Sequence, residues 1–236
     1  MHIAYVPTVE GNRIILNEEE SKHCIQVLRM KVSESLIVVD GKGGYYEAQI
    51  DVAHPKKCEL TILNFKNKFG KLPFELQIAC APTKNIERFE WFLEKATEIG
   101  IHQIIPIQCA HSERNIIKNE RLQKVLISAM KQSLKAYLPE LHELQNFKSF
   151  VESFKNFNGQ KFIAHCHDAQ KIDLQSVYQK GNNVLILIGP EGDFSMEEVV
   201  FALQHDFIAV SLSQSRLRTE TAALVACCCI NLMNES

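Results

Sequence analysis

The chain has 236 residues, enough for one large domain or two smaller ones, each able to bury a core. Its 46% hydrophobic and 23% charged content is ordinary for a globular protein, and no uninterrupted apolar run is long enough to cross a bilayer. The opening residues lack the basic-then-apolar layout of a signal peptide, and eight cysteines without regular pairing suit free thiols in a reducing cytoplasm rather than a disulfide framework.

The first seventy residues read as mainly β. Alternating or β-branched runs at 2–6, 13–16, 36–40, 45–52 and 58–63 predict five strands. Asp40-Gly-Lys-Gly-Gly44 reads as a hairpin turn, because glycine supplies the positive φ that such turns need. One helix interrupts the strands: Asn17 is its N-cap, Glu18, Glu19 and Glu20 suit its positive end, and Ile25 and Leu28 give it an apolar side. This predicts a small β-barrel over 1–70, with the polar, basic stretch 64–71 as a linker to a second domain over 71–236.

Beyond the linker, strands and helices alternate. Strands are predicted at 74–80, 104–107, 161–165, 184–188 and 207–212, and helices at 85–99, 119–138, 195–204 and from about Thr219. Such alternation predicts a parallel sheet covered by helices on both faces. In helix 85–99, Trp91 and Phe92 read as the buried side of an amphipathic helix rather than as a base-stacking platform. The last helix is apolar on nearly every side and must be buried all round, within the protein or against a partner subunit. Its Cys227, Cys228 and Cys229 point about 100° apart, cannot converge on one metal, and read as core.

The net charge of −2 is unevenly spread. Residues 22–71 carry nine basic and five acidic side chains, 114–135 six and one, and 136–236 seven and twelve. The two basic segments suit a phosphate backbone or, equally, a solvated surface.

Two segments carry chemistry. Gly189-Pro-Glu-Gly-Asp-Phe-Ser195 lies between a strand and a helix whose capping box is Ser195 and Glu198, which is where open α/β sheets bind ligands. It lacks the Gly-Lys-Ser/Thr of a P-loop and the three glycines of a dinucleotide fingerprint, and Glu191 and Asp193 would repel phosphate. An acidic glycine turn suits a neutral or cationic ligand such as S-adenosylmethionine, or is simply a tight turn without chemistry. The second segment, 211–222, sets Arg216, Arg218 and Glu220 beside a helix N-terminus. Basic side chains there oppose the helix dipole, so local stability does not explain them.

Together, Gly189-Pro-Glu-Gly-Asp-Phe-Ser195 and Leu217-Arg-Thr-Glu-Thr-Ala-Ala223 resemble the RsmE family of small-subunit ribosomal RNA (uracil-N3-)methyltransferases, of the SPOUT class. The likeness extends to Glu90-Trp-Phe-Leu-Glu-Lys-Ala-Thr-Glu-Ile-Gly100 and His23-Cys-Ile-Gln-Val-Leu-Arg-Met-Lys31, and so spans nearly the whole chain. It implies an α/β fold in which an N-terminal PUA-like small β-barrel precedes a SPOUT domain with a C-terminal deep trefoil knot. It further implies a homodimer, S-adenosylmethionine as cofactor, and 16S ribosomal RNA or the small ribosomal subunit as partner. The implied cofactor residues are His165, Ile188, Gly189, Pro190, Glu191, Gly192, Leu212, Leu217, Thr219, Thr221 and Ala222. The expected RNA contacts are Arg29, Lys31, Lys84, Arg114, Lys131 and Lys135. Arg218 is the candidate for stabilising charge on the uracil oxygens, and Glu220 either orients Arg218 or takes the proton from N3. The sequence departs from the family pattern at Ser213-Gln214, where Gly-Pro is usual, and at Leu134-Lys135.

Other constellations are weaker. His165-Cys-His167 has no third metal ligand at a telling spacing, and His111-Ser-Glu113 lacks a nucleophile elbow, so neither a metal nor hydrolytic chemistry is expected. Two further readings stay open: a SPOUT enzyme acting on another RNA or atom, and a PUA-like RNA-binding protein whose knot is inactive.

Overall fold

The computed structural model describes residues 2–235. The chain divides into two compact units, one of Met1–Lys71 with Ile127–Leu138, the other of Leu72–Leu126 with Pro139–Ser236.

The first unit is a five-stranded sheet of β1 (Ile3–Tyr5), β2 (Arg13–Ile15), β3 (Ser35–Val39), β4 (Tyr45–Val52) and β5 (Glu59–Lys66), in the order β1-β3-β4-β5-β2. Only β1 and β3 pair in parallel. Ala4 from one edge strand and Ile14 from the other share one core with Leu36, Val38, Ala48, Ile50 and Leu60, so the sheet wraps around that core. In the β3–β4 hairpin the Asp40 carboxylate accepts the N–H of Lys42 and of Gly44, and Gly41 and Gly43 take φ of 75° and 97°.

Helix α1 (Glu18–Lys22) is capped by Asn17, which accepts the N–H of Glu20, and it runs on into a π-turn, His23–Val27. The wider turn puts Cys24 in the core with Ile25 packed against it, as expected, while Leu28 stays exposed, contrary to expectation. The segment expected as a linker begins as strand. β5 continues to Lys66 because Asn64, Phe65 and Lys66 pair with β4, and the Phe65 ring stacks on Tyr46 with centroids 4.8 Å apart.

The second unit is a parallel sheet in the order β11-β13-β10-β12-β6-β7-β8, with β9 also on β7. Its strands are β6 (Leu76–Cys80), β7 (Gln103–Gln108), β8 (Glu140–Leu141), β9 (Gln145–Asn146), β10 (Gln160–Ala164), β11 (Ile172–Asp173), β12 (Val184–Ile188) and β13 (Ile208–Ser211). The five residues of β12 are all buried, as a central strand covered on both faces requires. Helices α2 (Ile86–Ile99), α5 (Leu174–Val177) and α7 (Thr219–Glu235) pack together, with α7 also on β6 and β12. Helices α4 (Phe147–Ser153) and α6 (Met196–Leu203) join Phe194 and Ile163 in the core of the other face. At the end of α2, the Asn231 amide of α7 donates to the carbonyl of Gly100 at 2.8 Å, a buried polar tie.

Helix α3 (Asn119–Gln132) stops six residues short of the expected 138. Leu134 adopts φ of 58°, and the N–H of Lys135 reaches back to the Met130 carbonyl at 3.0 Å, a left-handed C-terminal cap. Two other expectations change. Trp91 is 41% exposed while Phe92 is fully buried, because Phe89, Phe92, Leu93, Ala96 and Thr97 form the inward face. Helix α7 buries Ala223, Ala226, Cys227 and Ile230, but Cys228 and Cys229 are half-buried and Leu232 is 64% exposed, so one side is uncovered.

Candidate active site

The site is built where β12 ends. The N–H of Asp193 returns to the Pro190 carbonyl at 2.9 Å to close the turn, and Asp193 itself takes φ of 64°, which aspartate tolerates better than most residues. The capping box then starts α6: Ser195 accepts the Glu198 N–H and Glu198 accepts the Ser195 N–H.

The acids of this turn and of the helix after it are bonded to protein N–H groups, although Glu191 and Asp193 also border the cavity. Glu191 accepts the N–H of Lys84 at 2.9 Å, Asp193 that of Cys166 at 2.7 Å and Glu198 that of Ala110 at 2.8 Å. Those three N–H groups belong to the loops after β6, β10 and β7. The acidic composition that excludes a phosphate therefore serves as a clasp: carboxylates satisfy loop N–H groups that a phosphate would otherwise draw. The His111 ring adds a fourth tie, its Nδ1 lying 3.1 Å from the Gly192 carbonyl and 3.0 Å from that of Asp193.

Gly192 is explained by the same clasp. A Cβ on it would stand 3.0 Å from the Cβ of His111, so its close approach is to this loop, and it does not line the cavity beside the turn.

That cavity has a volume of about 350 Å³ and adjoins a second compartment of about 300 Å³, sharing Ala164, Cys166, Arg216, Leu217 and Ala222 with it. Of the expected cofactor residues, Ile188, Gly189, Pro190, Glu191 and Thr219 line the first, and His165 and Leu212 the second. The Thr219 hydroxyl donates to the Gly189 carbonyl at 3.0 Å, fixing the start of α7 against the turn. Thr221 points elsewhere.

His165 is 7% exposed, and its Nδ1 is buried without a hydrogen-bond partner. Burial, then the nearby Lys171 charge, lower its pKa below the ordinary value. A neutral imidazole with a free ring nitrogen, beside the main-chain groups of 188–191 and 211–216, suits a ligand with hydrogen-bonding ring nitrogens. Lys171, which sequence reasoning missed, closes the loop after β10 by donating to the carbonyls of His165 and His167. Nothing local in the sequence marks it.

Arg216 and Arg218 are exposed at the cavity and have no ion pair among the described residues. Glu220 is not brought to Arg218. Arg218 precedes α7 and lines the cavity, whereas Glu220, in the helix's first turn, lies 3.9 Å from the Arg88 guanidinium in a separate hollow.

The expected RNA contacts divide. Arg29 and Lys31 are exposed, without an ion pair among the described residues. Lys84 pairs with Glu113 at 2.7 Å, and Arg114 donates to the carbonyls of Thr83 and Lys84, so both belong to the loop beside the turn. Lys131 pairs with Glu20 at 2.5 Å inside the first unit, and Lys135 is half-buried. Among the described residues no group of three or more His, Cys, Asp or Glu side chains could hold a metal, and no helix is long and apolar enough to cross a membrane.

A parallel sheet with a cavity of this size at the carboxyl ends of its central strands defines an α/β protein that binds a small cofactor there. The comparisons make that class specific. The chain belongs to the RNA methyltransferase domain family, whose model matches residues 70–231, and an RNA methyltransferase PUA domain model matches residues 16–63. It is similar to the solved structure of a probable rRNA-methyltransferase from Porphyromonas gingivalis, 39% identical with a TM-score of 0.93, over 100% of this chain and 99% of that one. A ribosomal RNA small subunit methyltransferase E from Neisseria gonorrhoeae, solved bound to S-adenosyl methionine, is 25% identical with a TM-score of 0.87, covering 99% and 98%. The enzyme of that name from Bacillus subtilis is 27% identical over 96% of this chain and 92% of its own.

Proposed function

We propose that the protein is an S-adenosylmethionine-dependent methyltransferase that modifies N3 of a uridine in the 16S ribosomal RNA of the small subunit. The observation that carries this reading is Arg218, a cation without an ion pair among the described residues, at the rim of the cavity between the 189–193 turn and α7. Family membership and the relatives' names support it.

The residues present fit the cofactor. Main-chain groups of Ile188–Glu191 and of the loop after β13, with the unpartnered Nδ1 of His165, can meet an adenine edge, while the acids that might compete for the lining's donors are spent in the clasp. When bound, S-adenosylmethionine would supply a methyl group to N3, its sulfur keeping the carbon–sulfur electron pair and becoming a neutral thioether. The chain's task is to make N3 a nucleophile. N3 of uracil carries a proton that passes to water, and the conjugate base left behind spreads negative charge onto O2 and O4. Arg218 stabilises that charge, an electrostatic role that needs the guanidinium held in place rather than paired with a carboxylate. A paired uridine hides N3, so the target is single-stranded or flipped out.

The same reading assigns residues 1–70 to RNA binding, with Arg29 and Lys31 as phosphate contacts, and 71–236 to methyl transfer in a cytoplasmic homodimer. Half-buried Cys228 and Cys229 and exposed Leu232 on α7 support a subunit contact there. A knotted path is supported by β13 pairing with β10 while the α7 that follows packs across β12 and β6.

The test is Arg218→Ala. Calorimetry should find S-adenosylmethionine still bound, and label transfer to 16S RNA should slow roughly a hundredfold or more. Turnover near that of the wild type refutes the role. Light scattering that finds an active monomer refutes the dimer.

A further inference from the structure

The Arg88–Trp91–Glu220 hollow is not explained by methyl transfer. It measures about 280 Å³, is lined by Asn85, Glu87, Arg88, Trp91, Glu220 and Thr221, and shares no residue with the cofactor cavity. Thr219 and Ala222 line the cavity while Glu220 and Thr221 line the hollow, so the first turn of α7 separates the two.

Two observations point to a ligand. The Glu220 side chain is only 9% exposed, and its Oε2 is buried with no hydrogen-bond partner. Among the described residues its Oε1 has only the Arg88 Nε at 3.9 Å, the outer limit of an ion pair. A buried carboxylate with an unmet acceptor is costly unless something supplies N–H groups. Beside it Trp91, 41% exposed, offers an aromatic face that the core does not use.

We propose that this hollow binds an unpaired guanine of the RNA substrate, a nucleotide near the target uridine in the chain rather than the target itself. This rests on the methyltransferase reading above. An aromatic face takes any base by stacking, and the carboxylate chooses among them. Guanine presents two adjacent donors, N1–H and N2–H, to a carboxylate, with O6 beside them for the Arg88 guanidinium. Adenine and cytosine each set a ring acceptor next to their amino group, and uracil flanks its one N–H with two carbonyls. Each of those acceptors would face the carboxylate and be repelled.

Trp91 is the only tryptophan in the chain, so its emission reports this hollow alone. The experiment titrates the full-length protein with GMP, AMP, CMP and UMP, following Trp91 fluorescence at the red edge of its absorption. GMP should quench it with an affinity roughly tenfold or more above the other three, the scale of losing a hydrogen bond to a charged group. Glu220→Gln keeps one acceptor oxygen and adds a donor, and should shrink that preference to a few-fold. S-adenosylmethionine calorimetry on both proteins checks the fold and, separately, the cofactor reading. Equal quenching by all four nucleotides overturns the guanine assignment. Emission that ignores nucleotides, or that shifts only with protein concentration, makes the hollow inert or a subunit contact and overturns it too. A wild type that binds no S-adenosylmethionine yet prefers GMP would instead sink the methyltransferase reading and leave the guanine site standing.

Discussion

Removing the Asp193 carboxylate should loosen the cofactor site by opening its clasp. In the native turn this side chain, 14% exposed, accepts the Cys166 N–H at 2.7 Å and the Phe194 N–H at 2.9 Å. Hydrogen bonds to a charged group contribute about 1.5–3 kcal/mol each. Cys166 is exposed and regains water, so the pair together is worth about 2 kcal/mol. Alanine also fits φ of 64° worse than aspartate does, which adds about 1 kcal/mol. Asp193→Ala should therefore lose about 3 kcal/mol, and a chain of this size should melt roughly 6–12 °C lower. Asp193→Gly removes the carboxylate without the strain and should fall between alanine and wild type. Thermal unfolding gives the stabilities, and calorimetry should find S-adenosylmethionine affinity lower in both variants, because Cys166 and the 189–193 turn line the same cavity. An Asp193→Gly protein as stable as wild type would mean that the clasp contributes nothing and only backbone conformation matters. Unchanged cofactor affinity in both variants would separate the clasp from the site.

Lys131→Ala should act on folding rather than on RNA. It removes the cation from buried Glu20, leaving Oε1 with only the Tyr5 N–H at 3.3 Å and Oε2 without a partner, and should cost about 2–3 kcal/mol in chemical denaturation, below the full value for a buried pair because Lys131 is 24% exposed. A stable variant with weakened RNA binding would reverse that assignment. His165 is held neutral, with a folded pKa below the ordinary 6.5. Its contribution is intact above that pH and is lost as pH falls through the folded pKa, since the unfolded chain takes up the proton first. His165→Gln should flatten the acid side of the stability curve relative to wild type. His2, lowered to about 4 by burial and then by His23, titrates in the same window in both proteins and cancels in the comparison. Identical curves would show that His165 is not desolvated. Replacing Arg29 and Lys31 together with alanine should reduce the slope of log affinity for RNA against log salt by about 1.5, two released counterions' worth. An unchanged slope would remove these side chains from the phosphate path.

Much of this protein can be read along its chain because the deciding interactions are local. A capping box fixes where α6 begins, Asn17 and Asn85 start their helices through their own side chains, and glycines shape the β3–β4 hairpin within five residues. The all-apolar run of β12 and the strand–helix alternation specify a buried parallel sheet, since only a strand covered on both faces needs no polar alternation. The turn and the Arg218 segment were legible as motifs for the same reason. What they do to one another was not. The Glu191, Asp193 and Glu198 carboxylates meet N–H groups 27 to 107 residues away, and no local pattern says that acids will face loops rather than a ligand. Glu220 and Arg218 are near in sequence, but the chain enters α7 between them, leaving Arg218 on the cavity and Glu220 in the hollow with Arg88. Trp91 is polar-facing and α7 partly bare for a related reason. Periodicity tells that a face is apolar, whereas the number of elements packed against it, and hence what covers it, is settled only when the whole chain has folded.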